Sequence, residues 1–166
     1  MKSILRILLV QFLLMATSIP MTAQDTTADE EFTVLKIEGE ITNKTDKLDG
    51  VLVELYEQNK MVDAFETKKN GKFKFNLYNN HIYTIQLTKE GYNTKKVTIN
   101  TKVPEDYGDE ISYLFDIELD EFSAVEEEKE TLLEYPIAII SFDERKGEFL
   151  FNQAYTKGLI EDLKLD

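Results

Sequence analysis

The stretch Thr67-Lys68-Lys69-Asn70-Gly71-Lys72-Phe73-Lys74-Phe75-Asn76-Leu77 decides the fold class of this chain. Asn-Gly between alternating runs is the strongest short-range sign of a β-hairpin, because both residues tolerate the positive φ of a tight primed turn. Beyond the turn, Phe73, Phe75 and Leu77 fall on one face of an extended strand, and Lys72, Lys74 and Asn76 on the other. That is the pattern of a half-buried antiparallel strand. Upstream, Val62, Ala64 and Phe65 end a run expected to pair back across the turn. Downstream, Tyr83-Thr84-Ile85-Gln86-Leu87-Thr88 repeats the alternation.

Towards the amino terminus, Leu35, Ile37, Gly39 and Ile41 share one face of a first strand, which the loop Asn43-Lys44-Thr45-Asp46-Lys47 ends. Val51, Val53 and Leu55 follow as a second strand, and Gln58-Asn59-Lys60 turns the chain into a third. Towards the carboxy terminus, Lys89-Glu90-Gly91 is a turn, and Tyr92 to Ile99 a strand with Val97 and Ile99 inward. Ile111, Tyr113, Phe115, Ile117 and Leu119 alternate without a gap and are expected as one continuous strand that closes the structure. Short strands separated by turn residues about every 8–12 positions indicate a sandwich or barrel. The expectation is a mainly β chain, with a seven-stranded antiparallel sandwich over residues 32–120.

Residues 121–134 are acidic and expected as a solvated helix or linker. In 135–166, Ile137-Ala138-Ile139-Ile140-Ser141-Phe142 and Phe149-Leu150-Phe151 flank a turn. Asn152 then serves as N-cap for a helix with an apolar stripe of Tyr155, Leu159, Ile160 and Leu163. A hairpin and helix of this size is too small to be stable alone. It is expected as an appendage held on the sandwich by Ile137, Ile139, Phe149, Phe151, Tyr155, Leu159 and Leu163.

The first residues read as an address. Lys2 and Arg6 precede an apolar run from Ile7 to Met15 and a polar stretch ending in Thr22-Ala23, the order of a signal peptide over 1–23. Residues 24–31 are a polar, aperiodic leader. The expectation is an exported protein that is periplasmic, outer-membrane-associated or extracellular, with no transmembrane segment after cleavage. Cysteine is absent, which removes disulfides and thiolate chemistry. Without Lys2 and Arg6 the 19 basic residues become 17, against 32 acidic ones, so nucleic acid is not an expected partner. The charge is segregated: residues 60–102 carry nine lysines and three acids, residues 103–134 thirteen acids and one lysine.

Residues 34–119 resemble the carboxypeptidase regulatory-like domains, transthyretin-like β-sandwiches of exported Bacteroidetes-type proteins. The resemblance rests on Gly39-Glu40-Ile41, Gly50-Val51-Leu52-Val53-Glu54-Leu55, Asn70-Gly71-Lys72-Phe73-Lys74-Phe75 and, most specifically, the run from Tyr83 to Lys89-Glu90-Gly91-Tyr92. It implies a non-catalytic folding, docking or binding unit. The expected role is a protein-interaction or scaffold module of the cell envelope, with an envelope protein as partner. The alternative is a carbohydrate- or polyanion-binding module acting on a surface polysaccharide.

Candidate sites are few. His81 is the single histidine, so no multi-histidine centre of the related hydroxyisourate hydrolases is available, and a hydrolytic triad has no other base. The chain is expected to be no enzyme and to hold no cofactor or metal. The carboxylates of Pro104-Glu105-Asp106-Tyr107-Gly108-Asp109-Glu110 lack the alternating ligand spacing of a helix-loop-helix calcium site. Lys68, Lys69, Lys72, Lys74, Lys95 and Lys96 are expected as a basic strip on the outer face of two strands, serving either as an interaction surface or as edge protection. Tyr56, Tyr78, Tyr92 and Tyr107 are either sugar-stacking residues or strand fillers.

Overall fold

A computed structural model describes residues 31–121 and 134–164, residues 162–164 by their backbone alone. The expected signal peptide, all of the leader but Glu31, and residues 122–133 of the acidic segment lie outside the described residues. The strands in chain order are β1 (Thr33–Asn43), β2 (Asp46–Lys47), β3 (Leu52–Glu57), β4 (Lys60–Glu66), β5 (Lys72–Tyr78), β6 (Ile82–Thr88), β7 (Lys95–Asn100), β8 (Ile111–Leu114), β9 (Ile117–Glu118), β10 (Ala138–Asp143) and β11 (Glu148–Phe151). The helix α1 (Gln153–Lys164) follows.

Two sheets pack face to face. In the smaller, β1 is central, with β5 antiparallel on one side, β8 and β9 parallel on the other, and β2 pairing its last two residues. The larger has six strands in the order β11-β10-β7-β6-β3-β4. Period-two alternation explains the core. Leu35, Ile37 and Ile41 of β1 and Phe73, Phe75 and Leu77 of β5 are buried, as are Val53, Leu55, Ile85, Leu87, Val97 and Ile99 of the larger sheet.

The fold differs from the expected seven antiparallel strands in number and direction. Eleven strands form among the described residues, and two sets of pairings are parallel: β8 and β9 with β1, and β10 with β7. Asn70-Gly71 does make a turn, but not a hairpin. Only Gly71 of the two has positive φ, at +64°, and its N–H donates to the Lys68 carbonyl at 2.8 Å. The turn carries the chain from β4, paired with β3, to β5, paired with β1 in the opposite sheet. Buried Thr67 anchors this crossing: its hydroxyl accepts from Val51 N–H at 3.0 Å and donates to the Leu48 carbonyl at 2.8 Å. The hairpin partner of β4 is β3, joined through Gln58 and Asn59, with Gln58 at φ +52°.

The run 111–119 keeps one register along β1 yet breaks at Phe115 and Asp116. There the Asp116 carboxylate accepts the Glu40 N–H at 2.8 Å, in place of a main-chain acceptor. The close approach needs Gly39, since a Cβ on that residue would fall inside the Phe115 carbonyl.

The carboxy-terminal hairpin is continuous with the larger sheet through the register Ala138↔Val97 and Ile140↔Ile99. Phe149 is buried as expected, but in β10 the buried residues are Ala138 and Ile140 while Ile137 and Ile139 are half-buried, so the inward parity of that strand is one residue away from the expected one, and Phe151 is exposed. α1 lies against β10: the Tyr155 hydroxyl donates to the Pro136 carbonyl at 2.7 Å and the Thr156 hydroxyl to the Ile137 carbonyl at 3.1 Å. Asn152 is the N-cap, its Oδ1 accepting the Tyr155 N–H at 3.0 Å. Of the expected stripe, Leu159 is buried but Ile160 is exposed.

Candidate functional site

The lysines expected as one strip are divided between the sheets. Lys72 and Lys74 stand on β5, each 3.9 Å from a carboxylate of β1, Glu40 and Glu38 respectively. Lys68 and Lys69 lie in the crossing before them and are exposed. Lys95 and Lys96 belong to β7 of the larger sheet; Lys95 pairs with Asp120 at 2.8 Å and Lys96 donates to the Glu134 carbonyl at 3.3 Å. The tyrosines also lie apart. Tyr56 donates to Glu54 at 3.1 Å, Tyr78 is exposed at the end of β5, Tyr92 packs on the core, and the Tyr107 ring sits 4.8 Å from that of Phe142. In the acidic loop, Glu110 pairs with Lys36. Among the described residues no group of three His, Asp or Glu side chains converges on a point that suits a metal ion.

What the fold does bring together lies between the edges of β4 and β5 that have no strand partner among the described residues. A cleft of about 590 Å³ opens there, within the usual range for ligand sites. Leu55, Val62, Phe75, Tyr78 and Tyr83 supply its apolar lining, and Glu31, Glu57, Asp63, Lys74 and Asn76 its polar one. His81 stands beside it as a clasp. Nδ1 is 2.9 Å from a Glu57 carboxylate oxygen, Nε2 is 3.3 Å from Glu31, and the ring centroid is 5.6 Å from that of Tyr83. The His81 main chain is held by Thr101, whose hydroxyl accepts its N–H and donates to its carbonyl, both at 3.0 Å. Burial raises the Tyr83 hydroxyl above its ordinary pKa, opposed by the Tyr78 N–H donated to it and assisted by Glu57 and Glu31.

The two edges differ in how they end. On β4 the bond from Thr67 N–H to the Val51 carbonyl fixes the ladder parity, so the Ala64 N–H faces the open side. Asp63 Oδ1 accepts that N–H at 2.8 Å. The register shifts between Leu55 and Tyr56, making Val62 an extra residue, and Asp63 opposite buried Leu55 is a charge on the inward side. A bulge, an inward charge and a capped donor are devices that blunt an edge. On β5 the Ile41 N–H donates to the Gly71 carbonyl at 2.8 Å, and counting from that pair turns Phe73, Phe75 and Leu77 towards β1. Lys74 and Asn76 therefore direct their main-chain N–H and C=O groups to the open side, where β5 has no strand partner among the described residues. Among the described residues the β5 edge has no bulge at Lys74; its Lys72 N–H is capped by Asn70 Oδ1 at 3.2 Å, and no side chain caps Lys74 or Asn76.

Glu31, Glu57, Asp63 and Tyr83 were not marked by sequence patterns. One signal was available: Asp63 precedes Phe65 by two positions, so a charge occupies the parity of an inward residue. No protein-family profile matches the chain, and a search of curated proteins finds no match. Among solved structures, a 3-chlorocatechol 1,2-dioxygenase from Rhodococcus opacus is similar at 12% identity and a TM-score of 0.38, over 53% of this chain and 60% of that one. A 5-hydroxyisourate hydrolase from Klebsiella pneumoniae is similar at 13% identity and a TM-score of 0.37, over 53% of this chain and 99% of that one. A Bacteroides uniformis protein described as carbohydrate-binding is similar at 13% identity and a TM-score of 0.37, over 55% of this chain and 43% of that one. The chain thus spans less than two thirds of the dioxygenase's length. Likenesses this distant carry no argument about activity, and the sandwich rests on its own strand pairings.

Proposed function

We propose that the chain is a non-catalytic, exported β-sandwich of the carboxypeptidase regulatory-like kind, serving as a protein-interaction module of the cell envelope that accepts an extended segment of a partner on β5. The observation that carries this reading is the contrast between the two edges: β4 is blunted by a bulge, an inward charge and a capped donor, whereas β5 presents the main chain of Lys74 and Asn76 beside a cleft lined by both apolar and charged side chains. Strand addition draws its affinity from such main-chain groups and its selectivity from pockets for alternate side chains. The engagement of both His81 ring nitrogens by Glu31 and Glu57 supports a structural role for the single histidine. The polysaccharide alternative calls for a row of aromatic rings, and Tyr56, Tyr78, Tyr92 and Tyr107 lie apart, with only Tyr78 and Tyr83 of the described tyrosines sharing the cleft.

The test is retention of envelope proteins by the immobilised mature chain and by its Lys74→Pro variant. Proline at 74 removes an N–H that faces the open side and takes no bond from the β1 ladder. The expected result is a partner retained by the parent chain, with slowed amide exchange at Lys74 and Asn76, and lost from a variant that still melts cooperatively. Equal retention by the variant overturns strand addition on β5, and retention of polysaccharide instead of protein favours the alternative.

A further inference from the structure

The cleft beside β5 also bears on the chemistry of the partner, given the strand-addition reading on which this inference rests. We infer that the segment accepted on β5 carries a lysine or arginine at an inward position, held by Asp63 and Glu57. Three carboxylates line the cleft, those of Glu31, Glu57 and Asp63. Lys74 is the one ammonium among the residues lining it, and on the outer face that group lies 3.9 Å from Glu38. The carboxylates are incompletely used. Asp63 spends Oδ1 on the Ala64 N–H, and Glu57 spends Oε1 on His81, which leaves the second oxygen of each for an incoming donor.

Strand geometry brings such a donor to the right place. A segment paired with β5 alternates its side chains, one towards the cleft and the next to solvent. An inward lysine or arginine lays its aliphatic stem along Val62 and Phe75 and carries its charged head to the carboxylates. An acidic residue at that position meets repulsion from every carboxylate of the cleft. A second copy of this chain is a poor occupant, because pairing β5 with β5 brings the Lys72 and Lys74 ammonium groups of both copies to one seam.

The test uses short acetylated and amidated peptides of alternating valine and threonine that differ at one central inward position, arginine, glutamine or glutamate. Binding to the intact mature chain is followed by fluorescence anisotropy and by amide exchange at Lys74 and Asn76. The arginine peptide is expected to bind about tenfold more tightly than the glutamate peptide, a margin that shrinks as ionic strength rises. The margin is also expected to collapse in the double variant Asp63→Asn with Glu57→Gln, which keeps the oxygen each residue already uses as an acceptor. Equal affinity for all three peptides, with Lys74 and Asn76 protected, overturns the charge inference and leaves strand addition standing. Failure of every peptide to protect those amides overturns strand addition and the inference together. A preference for arginine without that protection locates the charge recognition elsewhere and overturns the inference alone.

Discussion

Gly71 is constrained twice over, and a comparison with Gly91 separates the two constraints. Both have positive φ, +64° and +83°, but a Cβ on Gly71 would lie 2.6 Å from the Ile41 carbonyl oxygen, whereas one on Gly91 meets nothing within 4 Å. Gly91→Ala is expected to cost about 1 kcal/mol from the left-handed backbone alone. Gly71→Val adds a collision with main chain to that strain, and about 3 kcal/mol is expected. Denaturant midpoints of the two variants measure the difference, and equal losses would show that the collision is relieved at no cost. Two tyrosines give a second residue-scale prediction. Burial raises the pKa of Tyr83 and Tyr113, and each hydroxyl also accepts a main-chain N–H, from Tyr78 and Phe151. The unfolded chain ionises first, near pH 10, so stability is fully present below that value and is lost as pH rises through the higher folded values. Thermal melts in alkaline buffers are expected to show this decline, and Tyr113→Phe to flatten it.

Among the elements, β10 and β11 test whether the carboxy-terminal hairpin belongs to the fold. β10 covers one edge of β7, and Ala138, Ile140 and Phe149 enter the core shared by both sheets. Truncation after Glu134 removes these residues and bares the β7 edge. Burial of large apolar side chains contributes about 1.5–3 kcal/mol each, so the shortened chain is expected to lose most of its stability. A calorimetric scan with an unchanged transition temperature would contradict this. The hairpin and its N-cap were legible in the sequence, because Asn152 and the apolar periods are local signals. Its inward parity was not, since Ile137-Ala138-Ile139-Ile140 offers apolar residues on both faces. The choice was made by Val97 and Ile99, which lie far away in sequence. Asn70-Gly71 failed for a related reason. An Asn-Gly pair reports that the chain turns, while the partner of the departing strand depends on which sheet has room for it.

At the scale of the molecule, the alternation of apolar residues was enough to read a mainly β sandwich, and the strand faces of β1, β3, β5, β6 and β7 follow it. Parallel pairing escaped because it leaves no mark within either strand. The cleft escaped too: its carboxylates come from the chain before β1, from β3 and from β4, and only the packing of the two sheets gathers them. The lysine-rich block was visible as composition, but β5 lies in one sheet and β4, β6 and β7 in the other, which disperses its charges over the surface. The central place of β1 has a consequence for the nascent chain. The first strand to be made is flanked by two later ones, and Asn43 bonds to the Leu119 carbonyl across 76 residues. At a ribosomal pace of about 5–20 residues per second, that interval lasts roughly 4–15 s. During it Leu35, Ile37 and Ile41 are without the second flank of their sheet, and long-range pairing of this kind is slow to form. For those seconds the main-chain edge of β1 that β8 and β9 later cover stays open, the kind of unpaired strand edge that makes young polypeptides prone to aggregate.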